Sequence, residues 1–193
     1  ARLVRLACDL VGRPGPDPAM VVDADLRPEG KGGPLVRTKS SYLTYYAKWA
    51  SAWEAQALLR ARPAAGAQEL AAAVLDELAG LRYPQAGVDA TQIAEIRRLK
   101  LRMATERIPR GTDKERHLKL GPGGLSDIEW TIQLLQPQHA GNSPALRTPS
   151  TLKAIDVVEG LELLTGEQAA SLRQAWLHVS RVRNAIMLVR GRP

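Results

Sequence analysis

The sequence predicts an α+β chain that is mostly α: a short β segment near the start, then an antiparallel helical bundle. Three observations predict it. Val21-Val22 is a β-branched lead into Asp23, Asp25 and Pro28, so any strand there is short and ends near the proline. From residue 90 onward, apolar residues recur at helical spacing in segments joined by short loops, which is the pattern of a bundle. The composition is rich in Ala, Leu and Arg, with 16 Gly and 13 Pro to punctuate the elements.

Taken in order, residues 1–12 carry apolar side chains at 3, 4, 6, 7, 10 and 11, which predicts a short helix stopped by Gly12 and the Pro14–Pro18 run. A strand is expected over 20–26, a tight turn over Gly30–Gly33, and a second short strand over Pro34–Arg37. One strand pair does not stand alone, so the remainder of the sheet is expected upstream. The chain begins at Ala1 and ends in Arg190-Gly191-Arg192-Pro193, and it reads as a fragment. Ser40 or Ser41 is the expected cap of a helix over about 41–62. Its stripe of Tyr42, Tyr45, Tyr46, Trp49 and Trp53 reads as a packed face.

An Ala-rich helix follows over 67–80, then a loop at Arg82–Gly87. The next helix, 91–107, turns Ile93, Ile96, Leu99 and Met103 inward beneath a basic outer face. Ser126 and Glu129 have the S-x-x-E spacing of a capping box opening a helix over 127–139, with Asp127 favoured by the helix dipole. Pro137 should kink or end that helix. Ser150 or Thr151 caps a helix over 150–160. Thr165–Gln168 reads as a second capping box, opening a long helix over 166–190 whose stripe is Leu172, Trp176, Val179, Val182, Ile186 and Val189.

The formal net charge of +7 favours an anionic partner, whether nucleotide, nucleic acid or acidic protein surface. With no Phe at all, an RNA-type stacking platform is not expected. Cys8 is the single cysteine, which excludes an internal disulfide and a cysteine-based zinc site. No signal peptide and no apolar run of about 18 residues is present. The setting read from these features is cytoplasmic, with no membrane partner. His117, His139 and His178 are isolated from one another, and His117 reads as a local hydrogen-bonding residue.

Two stretches carry candidate chemistry. On a strand, Asp23 and Asp25 share one face. Carboxylates at a strand end, followed by Arg27 and the flexible run Gly30-Lys31-Gly32-Gly33, suit Mg²⁺ and phosphate. The same residues also read as a solvated strand end with an Asp–Arg pair. In the second stretch, Lys119 leads to Gly123-Gly124, whose backbone N–H groups can approach a phosphate, while Asp127 and Glu129 are also explained by capping. Glu54, Arg60 and Arg62 stand between these stretches; cations late in a helix are favourable by the dipole alone.

Three motifs in order, VDADLRPEGKGGPLV, WEAQALLRAR and KLGPGGLSDIEW-x-x-QLLQ, resemble the glutamine synthetase adenylyltransferase family, large bifunctional enzymes. The chain is most similar to actinobacterial members and to the C-terminal, adenylylating half. The resemblance implies a polymerase-β-like nucleotidyltransferase sheet followed by a helical bundle. Residues 1–115 would be the C-terminal part of the catalytic domain with its following helices, and 116–193 the bundle, which starts as early as 90 on the helix pattern. It implies ATP as substrate, Mg²⁺ as cofactor, AMP transfer to a tyrosine of glutamine synthetase, and a PII signalling protein as a further partner. Nucleic acid is not implied.

Of the family's three catalytic carboxylates, the resemblance assigns Asp23 as the third, ligating the metal and helping to take the tyrosine proton. The G-S…D-x-D stretch that bears the other two is absent from this sequence. Arg27, Arg60, Arg62 and Lys119 are the implied nucleotide-side cations, with Asp25, Glu54, Asp127 and Glu129 in support; Asp25 stands where other members often have Arg. Two other readings remain: a non-catalytic module docking on glutamine synthetase or a PII protein, and the adenylyl-removing, phosphorolytic half of the same enzyme.

Overall fold

The structure is a computed structural model and describes residues 1–13, 15, 22–108 and 111–190. Nine α-helices occur among the described residues: α1 Arg2–Val11, α2 Lys39–Lys48, α3 Ala52–Leu58, α4 Gln68–Glu77, α5 Ala79–Arg82, α6 Ala90–Glu106, α7 Leu125–His139, α8 Thr151–Gly160 and α9 Gly166–Arg190. Among the described residues there is no β-strand. The expected strand 20–26 is corrected over 22–26, and 20–21 lie outside the described residues. The expected strand Pro34–Arg37 is likewise irregular backbone. A strand exists through ladder bonds to a neighbour, and no described segment supplies one.

The chain divides into two compact units, Ala1–Ala50 with Arg181–Pro193, and Ser51–Ser180. In the first, α1 forms as expected but buries none of its residues, and Leu3 is 80% exposed. The cap of α2 is Thr38, not Ser40 or Ser41: its side chain accepts from Ser41 N at 3.3 Å. Tyr42, Tyr45 and Tyr46 stack along this helix, with centroids 4.9 Å apart for Tyr42–Tyr46 and 5.5 Å for Tyr45–Tyr46. The stripe is packed only in part, because Tyr46 is buried whereas Trp49 is 65% exposed.

The expected single helix over 41–62 is two helices. Ser51 breaks it: Glu54 Oε2 accepts from both Ser51 N and Ser51 Oγ at 3.0 Å, a reciprocal box that starts α3 afresh. The expected helix 67–80 divides too, α4 ending at Leu78 and α5 following.

The core of the second unit gathers Leu59, Tyr83, Ile128, Ile132, Leu146, Ile155, Val158 and Ala169, with Leu172 and Trp176 of α9 packed against it. α3 packs on α5, α6 and α7, and α7 packs on α8. Ile96 of α6 is buried as its spacing predicts. The box at Thr165–Gln168 opens α9: Gln168 N donates to Thr165 Oγ1 at 3.2 Å and Thr165 N to Gln168 Oε1 at 3.0 Å. Ser150 caps α8.

The expected box at Ser126 and Glu129 does not form. The N-cap of α7 is Gly124, two residues earlier, and Ser126 is buried inside the first turn. Pro137 neither ends α7 nor breaks it, since the helix runs on to His139. The missing N–H costs the helix one bond, to the Gln133 carbonyl, and only two residues of helix follow it. Gln136 then ties down the chain beyond, its Nε2 donating to Leu146 O at 2.9 Å and Thr148 O at 2.7 Å.

Candidate functional site

In the first unit, the segment around Asp23 is a loop built on Arg27. Its guanidinium donates to three carbonyls: Ala24 at 2.5 Å, Gly33 at 3.1 Å and Lys31 at 3.2 Å. A planar fork of five donors can hold three acceptors at once, which an ammonium does less well. The turn closes through Gly30 N to Arg27 O at 2.8 Å and Gly33 N to Gly30 O at 3.1 Å. Gly33 is required there, because a Cβ would lie 2.1 Å from Pro28 O. Arg37 fastens the far side, pairing with Glu29 at 3.0 Å.

Asp23 stands exposed at the mouth of this loop, its Oδ1 accepting from Asp25 N at 2.8 Å. Asp25 faces cations, Lys31 at 3.4 Å and Arg27 at 3.8 Å. The hard carboxylate oxygen of Asp23 is the donor type that Mg²⁺ takes. No group of three or more His, Cys, Asp or Glu able to hold a metal occurs among the described residues. Asp23 offers one oxygen ligand, and the described residues do not gather the others that a Mg²⁺ site needs.

In the second unit, the glycine-rich stretch before α7 is a compact knot. Gly121 N donates to His117 O at 2.7 Å, Leu125 N to Leu118 O at 3.0 Å and Ser126 N to Lys119 O at 2.9 Å. A Cβ at Gly121 would meet Lys114 O at 2.5 Å, so glycine is needed for this close approach. His117 acts locally as expected, its Nδ1 accepting from Leu120 N at 3.0 Å. The Lys119 side chain is exposed at the surface of the knot.

Two carboxylates near the start of α7, Asp127 and Glu129, take different partners. Asp127 accepts from Gly123 N at 2.8 Å and pairs with Lys100 of α6. Glu129 pairs with Arg60, just past α3, at 3.4 Å. Arg60 Nη1 also donates to Thr151 Oγ1, at the start of α8, at 2.6 Å. Glu54 is buried in its capping box, and Arg62 donates to the Pro63 carbonyl at 3.4 Å. The expected residues thus form two groups, Asp23 with Asp25 and Arg27 in one unit, and Arg60 with Asp127 and Glu129 in the other.

Residues that sequence reasoning passed over complete the second group. Lys100 was read only as part of a basic face and Thr151 only as a cap. Gln56 donates through Nε2 to Gln133 Oε1 at 3.1 Å, one turn from the Arg60–Glu129 pair. The signal was present: Gln56 and Arg60, and Glu129 and Gln133, are polar pairs four residues apart within apolar helix faces.

Nearby, Arg82 and Arg147 tie helix ends to a buried ring. Arg82 Nε donates to Leu58 O at 3.0 Å and Arg147 Nε to Ala140 O at 2.8 Å. Their guanidiniums lie 4.9 and 5.7 Å from the Tyr83 ring centroid. Burial raises the Tyr83 phenol above its ordinary pKa, against the opposing charges of Arg82 and Arg147.

A family model described as Glutamate-ammonia ligase adenylyltransferase matches residues 2–77, and one described as GlnD PII-uridylyltransferase matches residues 94–193. Both describe nucleotidyltransferases, and that is the class this chain falls in. Three curated relatives are each named bifunctional glutamine synthetase adenylyltransferase/adenylyl-removing enzyme. That of Cutibacterium acnes is 56% identical over 192 residues, covering 100% of this chain and 20% of the relative. That of Mycobacterium marinum is 53% identical over 183 residues, 95% of this chain and 18% of the relative. That of Streptomyces avermitilis is 54% identical over 179 residues, 93% of this chain and 18% of the relative. The chain belongs to the glutamine synthetase adenylyltransferase family. It spans about a fifth of the length of these relatives.

Proposed function

We propose that this chain is part of an adenylyltransferase that moves AMP from ATP to a tyrosine hydroxyl of glutamine synthetase in the cytoplasm. The single observation that carries the reading is the exposed Asp23, presented by an Arg27-centred loop in a chain of this family. The phenol oxygen bonds to the α-phosphorus, the bond to pyrophosphate breaks with its electron pair leaving on pyrophosphate, and the phenolic proton passes to solvent with Asp23 helping to take it. Asp23 is the carboxylate of this chain that would hold Mg²⁺, and the ion would supply charge neutralisation at the phosphates. Arg27 keeps Asp23 in place by fixing the loop that carries it. In this reading residues 1–115 end the catalytic domain with its following helices, and 116–193 form the bundle that comes next in the sequence.

A second reading is favoured by the match of residues 94–193 to the PII-uridylyltransferase model. The helical part then docks on glutamine synthetase or a PII-type protein and relays that contact.

The test is AMP transfer from labelled ATP to glutamine synthetase by the full-length protein that carries these residues. Asp23→Asn should lower it about a hundredfold or more with the fold intact. If the intact protein instead strips AMP from the labelled enzyme in phosphate, the adenylyl-removing half is the correct assignment. An Asp23→Asn variant as active as its parent overturns the role of Asp23.

A further inference from the structure

The second and third sequence motifs meet in one polar ladder between α3 and α7. Gln56 pairs with Gln133, and Arg60, one turn further along, pairs with Glu129, one turn back. The numbering rises on one helix as it falls on the other, so the helices run antiparallel and two rungs fix their register. A slip of one turn would leave the buried Gln56 amide without its partner, which costs more than the bond itself contributes. Arg60 adds a third helix through the buried Thr151 hydroxyl. Asp127, two residues before Glu129, holds the same turn of α7 to Lys100 of α6. The first two turns of α7 are therefore held from two sides, by Lys100 and by Arg60, and the knot with Lys119 lies just before them.

We propose that Arg60 is a positioning residue: it acts through Glu129 to hold the N-terminal end of α7, and with it the Lys119 loop, rather than touching the nucleotide itself. Its Nη1 is shared between Thr151 and Glu129, which fixes the guanidinium between the starts of α7 and α8. This proposal rests on the adenylyltransferase reading only for its kinetic consequence; the ladder itself is tested without it.

Two measurements on Arg60→Gln, Glu129→Gln and the double variant decide it. The first is urea unfolding of the 193-residue chain. The two substitutions should be non-additive by about fivefold in the unfolding equilibrium constant, and strict additivity overturns the ladder whether or not AMP transfer is found. The second is AMP transfer by the full-length protein. Each single substitution should raise KM for ATP by about fivefold, with the double variant no worse than either. A KM that rises only with Arg60→Gln, and rises equally when Glu129 is already Gln, would make Arg60 a direct nucleotide contact and overturn the positioning role. Loss of non-additivity in KM with non-additive unfolding does the same. If the full-length protein transfers no AMP at all, the functional reading fails while the unfolding cycle still reports on the ladder.

Discussion

Arg27 shows how one side chain organises a loop with no regular structure. Three carbonyls converge on its guanidinium, so the loop from Ala24 to Gly33 is folded around a cation rather than an apolar cluster. Arg27→Ala should cost the loop about 1–3 kcal/mol, because three acceptors lose a charged donor. Amide exchange at Gly30 and Gly33, which donate within this turn, should accelerate accordingly. Tyr83 carries a different consequence. Its folded-state pKa is raised, chiefly by burial, so the stability its neutral form contributes is complete below the unfolded value of about 10 and is lost as pH rises through the folded one. Urea unfolding between about pH 8 and 11 should show the parent chain losing ground to Tyr83→Phe as pH rises. A gap between the two that does not change across this range would contradict the buried phenol.

Among the elements, α7 bears the most. It lies against α3 and α8, its first two turns are gripped by Lys100 and Arg60, and its last turn holds the following loop through Gln136. Gln136 is 2% exposed, so Gln136→Leu strands two carbonyls while keeping most of the volume. It should destabilise the chain by about 2–3 kcal/mol, read from thermal unfolding. The break between α2 and α3 is a matter of local chemistry rather than packing. Ser51 offers Glu54 both its N–H and its hydroxyl, and an uninterrupted helix would forgo that box.

Over the whole molecule, burial is uneven. The second unit holds the core that Ile128, Ile132, Ile155 and Val158 share, whereas α1 has no buried residue. Local opening follows the density of buried apolar contacts. Amides of α1 should therefore exchange at least about a hundredfold faster than those of α7 and α8 in the isolated chain. Equal protection in α1 and α7 would mean that α1 is held by more than these residues provide. No helix among the described residues is long and apolar enough to cross a membrane, and the formal charge of +7 remains the main long-range feature.

By itself the sequence determined the helices whose signals are local. The Thr165–Gln168 box and the apolar stripe specified α9, and the period of Ile93, Ile96, Leu99 and Met103 specified α6. It also determined the family, because three ordered motifs survive any uncertainty about conformation. Only the tertiary structure decided what those motifs do to one another. Glu129 fits a capping box by spacing, yet α7 starts two residues earlier, because the knot before it closes at Gly124, and that frees Glu129 to meet Arg60. The strand expected over 20–26 is absent over 22–26 for the complementary reason. β-branched residues favour extended backbone, but a strand is completed by a neighbour's hydrogen bonds, and no local pattern can supply those.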